Sequence, residues 1–119
     1  MSIVAKILIA LVALEHIYFL VLEMFLWTSP RTRAAFGLSA EAAEQSRVLA
    51  ANQGLYNGFL AAGLIWSLLA PVTYATQLAL FFLACVLIAG IYGGVMANRR
   101  IWLLQALPAA IALVVLFIN

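Results

Sequence analysis

Three ionisable side chains, Glu15, His16 and Glu23, lie inside one uninterrupted apolar run, IVAKILIALVALEHIYFLVLEMFLW, over residues 3–27. Carboxyl groups and an imidazole can take up and release protons, so this trio is the candidate for proton donation and acceptance. A second polar set, Asn52, Gln53 and Asn57, punctuates the next apolar stretch, RVLAANQGLYNGFLAAGLIW. Amides offer both hydrogen-bond donors and acceptors without charge, which suits them to orienting a bound molecule. Ionisable groups in lipid cost roughly 2.5 to 3.5 kcal/mol or more each, so they are expected to face protein or a wet cavity.

The elements that must position these residues follow from composition. Of 119 residues, 68% are hydrophobic and 8% charged, with a mean hydropathy of +1.18. Four apolar runs are visible, about 3–27, 48–70, 75–97 and 101–118. Each approaches the length of about 20 residues that crosses a bilayer as a helix. They are continuous, whereas a membrane barrel would alternate apolar and polar residues. The expected fold is therefore an all-α integral membrane protein, a single four-helix bundle over residues 1–119. The first run is expected to be a retained span. It extends past the usual length of a signal peptide's apolar core and carries Glu15 and His16 at its centre, with no small-x-small site before a polar stretch. Cys85 is the lone cysteine, which excludes an internal disulfide and leaves it a packing role.

Charge sets the expected orientation. Arg31, Arg33, Arg47, Arg99 and Arg100 lie in the connections after the first and third runs, against Lys6 alone on the opposite side. Such a bias puts the basic connections in the cytoplasm and both termini outside, with the cytoplasmic (inner) membrane of a bacterium as the location. No basic run with interleaved aromatics and no zinc-ligand spacing points to nucleic acid. Pro30 is expected to stop the first helix. Ser39 is expected to cap a helix, with Glu41 in its first turn, that runs unbroken through Arg47 into the second span. The short links around Pro71 and at residues 97–100 favour neighbouring antiparallel helices running up-down-up-down. Small residues four apart (Gly54, Gly58 and Ala62; Ala89 and Gly93; Gly90 and Gly94) would let helices approach closely, and Pro108 would free the carbonyl of Leu104 near Gln105.

Helical rise gives each polar group a depth. On that count Glu23, Asn52, Gln53, Tyr92 and Gln105 share a layer in the cytoplasmic half, with Glu15, His16, Tyr18 and Asn57 beyond them and the arginines at the rim. His16 and Glu23 fall about 20° from alignment on their helix, and Gln53 and Asn57 share a face of theirs. Two readings compete. In one, the groups satisfy each other as glue between helices, Glu23 with Asn52 or Tyr92 and His16 with Glu15 or Asn57. In the other, they line a pocket for a small, amphipathic molecule, with Glu23, Glu15 and His16 handling protons and Asn52, Gln53, Asn57, Tyr92, Gln105 and Arg47 contacting the ligand. Trp27, Trp66 and Trp102 read as interface anchors, and His16 as a bundle histidine with no metal set around it. The residues name no cofactor.

The strings LVALEHIYFLVLEMFLW, RVLAANQGLYNGFLAAGLIW, CVLIAGIYGG and LLQALPA resemble the family catalogued as domain of unknown function 1304, small four-span proteins of bacteria and fungi. The resemblance covers nearly the whole chain. It implies a four-helix membrane protein, with polar positions on Glu15, His16, Glu23, Asn52, Gln53 and Asn57, and no established activity. The architecture is also similar to that of the membrane-associated eicosanoid and glutathione metabolism proteins, which are four-span trimers. Their second-span pattern matches here only at Arg47, Val48 and Ala51. Ala50, Gly54 and Asn57 replace its second arginine, its asparagine and its glutamate, which argues against glutathione and leaves Arg47 as an anion contact. Small multidrug exporters are similar in length and in a first-span glutamate, here Glu15. That likeness implies proton-coupled export as an alternative and a homodimer instead of a trimer, although the arginine bias departs from dual topology.

Overall fold

The structure is a computed structural model and describes residues 1–118. It is helical throughout, with no strand among the described residues. The elements are α1 (Ile3–Met24), α2 (Pro30–Phe36), α3 (Ala40–Gln45), α4 (Arg47–Leu69), α5 (Val72–Met96), a π-helical turn (Trp102–Ala106) and α6 (Leu107–Ile118). The four apolar runs thus become α1, α4, α5, and the π turn with α6. From sequence, residues 1–119 read as one domain; by its contacts the chain groups into two compact units. One comprises Met1–Leu14 with the chain from Leu60 onward, the other Glu15–Phe59, and α1 and α4 each contribute to both.

Two connections differ from expectation. Pro30 does not stop α1, which ends at Met24; it opens α2 as the first helical residue. Proline suits that position because the missing N–H has no intrahelical acceptor there. Ser29 caps this helix by accepting from the Thr32 N–H, and Gly37 ends it at φ 66°, a left-handed conformation that glycine adopts without a Cβ penalty. Ser39 caps α3, accepting from the Ala42 N–H at 3.0 Å, with Glu41 in the first turn as expected. That helix does not continue into α4, however. Ser46 breaks it, with φ −97° and ψ 5°, while its hydroxyl donates to the Ala42 carbonyl at 2.7 Å. A serine side chain competing for backbone acceptors in this way commonly ends or bends a helix.

The unit containing the chain's two ends is built on small residues. Ala5, Ala79, Ala109 and Ala112 are fully buried beside Ile9, Leu64, Leu83 and Val86. Alanines at contact positions bring helix axes close, and the larger residues fill the space between. Glycines mark the closest approaches: a Cβ at Gly63 would enter the Phe82 ring, and one at Gly94 would enter the Trp102 indole. The same indole donates from Nε1 to the Ile91 carbonyl at 3.1 Å. Ahead of Pro108, hydrogen bonding shifts to the i+5 pattern, the Leu107 N–H reaching the Trp102 carbonyl. Proline removes one i+4 donor, and a π turn is a local way to re-pair the backbone around it.

Outer faces are as apolar as the interior. Ile3, Ile7, Leu11 and Leu14 are exposed along α1, Phe81, Ile88, Ile91 and Val95 along α5, and Leu107, Ile111, Val114 and Phe117 along α6. Both α1 and α5 are long and apolar enough to cross a membrane, and only 28% of the apolar stretch of each is buried within the protein. A core helix of a water-soluble domain would be mostly covered. The Trp102–Ile118 segment is apolar but shorter.

Glycine substitutions test this packing. A Cβ at Gly90 would lie 2.6 Å from the Ala106 backbone nitrogen and 2.8 Å from its Cα, atoms that cannot swing aside. At Gly93 the nearest atom is the Ile101 Cγ2 at 3.1 Å, on a movable side chain. Gly90→Ala should therefore lose about 1–3 kcal/mol of stability and Gly93→Ala less, read by thermal unfolding in mild detergent. Equal losses would refute the assigned contact.

Candidate functional site

Polar residues converge in the Glu15–Phe59 unit, where Leu20, Glu23 and Met24 of α1 lie against Gln53, Gly54, Asn57 and Gly58 of α4. Gly54 and Gly58 allow the contact. A Cβ at Gly54 would meet Met24 Cγ at 2.7 Å and Glu23 Cβ at 3.0 Å, and one at Gly58 would meet Leu20 Cδ1 at 2.6 Å. Because the helices touch there, the Glu23 side chain is 4% exposed and reaches the side chains that flank the glycines. Gln53 Nε2 donates to its Oε2 at 2.6 Å, and Asn57 Nδ2 donates to its Oε1 at 2.5 Å. The two amides are four residues apart, one helical turn, so they close on the carboxyl from successive turns of one face.

This cluster has capacity left over. A carboxylate offers about four lone-pair sites, and the two amide donors occupy one on each oxygen. The side-chain carbonyls of Gln53 and Asn57 are further acceptors. The cluster is therefore rich in acceptors, and the chemistry it can do is to bind N–H or O–H donors, or to exchange a proton with them.

The other expected residues fall around this cluster or apart from it. His16 is fully buried, its ring edge-on to Phe19 with centroids 5.5 Å apart. Glu15, one residue earlier, is half-buried, and its Oε1 is enclosed without a hydrogen-bond partner. Asn52 stands away from Glu23. It is exposed, about 160° around α4 from Gly54, and its amide makes no hydrogen bond among the described residues. The partners of Glu23 are thus Gln53 and Asn57, where Asn52 or Tyr92 was expected. Arg47 pairs with Glu44 at 3.2 Å in an exposed i,i+3 bridge, an interaction that contributes at most about 1 kcal/mol at a surface. Tyr92, 66% exposed on α5, and Gln105, half-buried in the π turn, belong to the other unit. No cluster of three or more His, Cys, Asp or Glu that could hold a metal occurs among the described residues.

The sequence reading missed a tie at the end of this unit. Trp27 Nε1 donates to Ser46 Oγ at 3.0 Å, and the Trp27 ring lies 5.0 Å from that of Phe36. Trp27 read as an interface anchor, and nothing about an isolated serine between two helix-forming stretches singles it out as an indole acceptor. Thr32, buried at 2% exposure, meets the capping hydroxyl of Ser29 at 2.9 Å and helps fix the same segment.

Fold and site together define a small all-helical protein with two segments able to cross a membrane and a carboxyl–amide cluster between α1 and α4. Residues 10–117 match the family described as "Protein of unknown function (DUF1304)", and the chain belongs to that family. It is 36% identical over 116 residues to the uncharacterized protein YpaA of Lactococcus lactis, an alignment covering 96% of this chain and 97% of the relative. No solved structure matches it.

Coupling within the cluster is measurable. Asn57→Ala leaves one Glu23 oxygen without its amide and should cost about 1–3 kcal/mol. A double-mutant cycle with Glu23→Ala should give a coupling of about 0.5–3 kcal/mol in chemical unfolding. Additive losses would mean that the two side chains do not act together.

Proposed function

We propose that this chain is an integral membrane protein of four spans, up-down-up-down with both termini outside, which binds a small amphipathic ligand at Glu23. The observation that carries the reading is the buried Glu23 carboxyl held by Gln53 and Asn57 with acceptor capacity to spare. In a membrane a carboxyl is retained where it serves a site or a proton path. A ligand that fits has an apolar body to match the surrounding helix surfaces and a head bearing N–H or O–H donors. Glu23 is the principal proton donor or acceptor, Gln53 and Asn57 orient the head, and His16 with Glu15 provides a route for protons. The exposed apolar faces of α1, α5 and α6 support lipid contact. The arginines at residues 31, 33, 47, 99 and 100 support a cytoplasm-facing site in the inner membrane.

Native mass spectrometry of the protein extracted gently from its own membrane tests the proposal. The wild type should carry an additional small-molecule mass, and Glu23→Gln should lose it while keeping its helical circular-dichroism spectrum. Retention of that mass by Glu23→Gln would overturn the assignment.

A second reading rests on the enclosed, unpartnered oxygen of Glu15. A carboxyl in that setting can alternate between a proton and a cationic substrate, the chemistry of proton-coupled export. Glu15→Gln should then abolish pH-gradient-driven efflux of a lipophilic cation from proteoliposomes, and Glu23→Gln should leave it running. Equal efflux by the Glu15→Gln variant and the wild type would exclude export through this residue.

A further inference from the structure

The exposed face of α4 carries a pattern that the Glu23 cluster does not use. Val48, Asn52, Leu55 and Phe59 follow one another at intervals of four, three and four residues. All four are exposed, Val48 at 76%, Leu55 at 42% and Phe59 at 54%, with Tyr56 at 60% beside them. Intervals of four and three are those of a coiled-coil seam, in which side chains of one helix enter holes of another. The seam is centred about 110° around α4 from Gly54 and Gly58, and its residues stay exposed beside the contact with α1. The Tyr56 and Phe59 rings meet edge to face, with centroids 5.5 Å apart and planes at 88°, which orders part of this surface in advance.

Asn52 identifies the occupant. We propose that this seam is a two-fold interface at which α4 packs in parallel against α4 of a second copy of the chain, Asn52 pairing with Asn52 of that copy. The proposal rests on the membrane reading above. An acyl chain offers an amide neither a donor nor an acceptor, so an asparagine facing lipid at this position remains unsatisfied. A side-chain amide is complementary to itself, one N–H to the other's carbonyl in each direction. Copies inserted in one orientation are related by an axis along the membrane normal. Such an axis places identical residues opposite each other and runs the two α4 helices parallel. An asparagine within an otherwise apolar seam then fixes register and copy number, because any slip sets the amide against Val48 or Leu55. Ligand binding at Glu23 uses another face of α4, so the two sites are independent.

Disulfide trapping in native membranes tests the interface, in a Cys85→Ser background. With Asn52→Cys, mild oxidation should give a disulfide-linked dimer, and Ile88→Cys on the exposed side of α5 should stay monomeric. Separately, Asn52→Leu should weaken self-association about tenfold in a detergent dilution series, and Asn52→Gln should restore much of it. Monomer alone from Asn52→Cys, or trapping no greater than from Ile88→Cys, overturns the proposal. So does a small-molecule mass held by a monomer and released by Asn52→Leu, which would assign the face to a ligand. Alkaline carbonate extraction of the same membranes separates the two readings. Protein that washes off refutes membrane integration, while position-specific trapping supports the interface whether or not the protein washes off.

Discussion

Glu23 reaches Gln53 and Asn57 because no side chain stands between α1 and α4 at positions 54 and 58. Were Gly54 an alanine, its Cβ would press on Met24 Cγ and Glu23 Cβ and the helices would have to part, whereas at Gly58 it would meet the Leu20 Cδ1 methyl, which can swing aside. Hydrogen bonds of 2.5 and 2.6 Å do not tolerate such separation. The cluster is thus a product of van der Waals contact first and of hydrogen bonding second.

Of the long helices, α4 departs furthest from a plain apolar rod. It presents Gly54, Gly58 and Asn57 toward α1 and sets Asn52 among Val48, Leu55 and Phe59 on another face. By contrast α5, beyond its polar first turns and apart from Tyr92, is apolar on both its buried and its exposed faces, and it makes its contacts through Ala79, Gly90 and Gly94. Chemistry and packing are therefore divided along the chain. The unit of Glu15–Phe59 holds the carboxyl–amide cluster, and the unit built from the chain's two ends holds the alanine-rich core.

Periodicity and composition made the long helices legible, because runs of about 20 apolar residues admit few alternatives. Ser39 and Glu41 were readable as a helix start for the same local reason, since capping depends on only four residues. Ser46 was not readable. Its helix-breaking role arises from a hydroxyl shared between the Ala42 carbonyl and the Trp27 indole, and the second partner lies 19 residues away. Pro30 was ambiguous in sequence, as proline both follows helix ends and opens helices. Spacing alone placed Gln53 and Asn57 on one face. Their choice over Asn52 as partners of Glu23 depends on which side of α4 turns toward α1, and the glycines decide that.

The π-helical turn at Trp102–Ala106 sets the rotational phase of everything after it. An α-helix advances about 100° per residue, so an added or omitted residue upstream swings every later side chain by that angle. The wider turn holds one residue more than an α-turn would need, and α6 begins from that offset with Ala109, Ala112 and Leu116 buried. Deleting a single residue from the turn would let the backbone return to ordinary pairing with those three still facing the core, whereas a deletion in the regular helix just after it would rotate the residues that follow by about 100°. The irregular segment therefore acts as a spacer that absorbs one surplus residue, and the chain should tolerate loss of one residue there more readily than in the regular turns of α6.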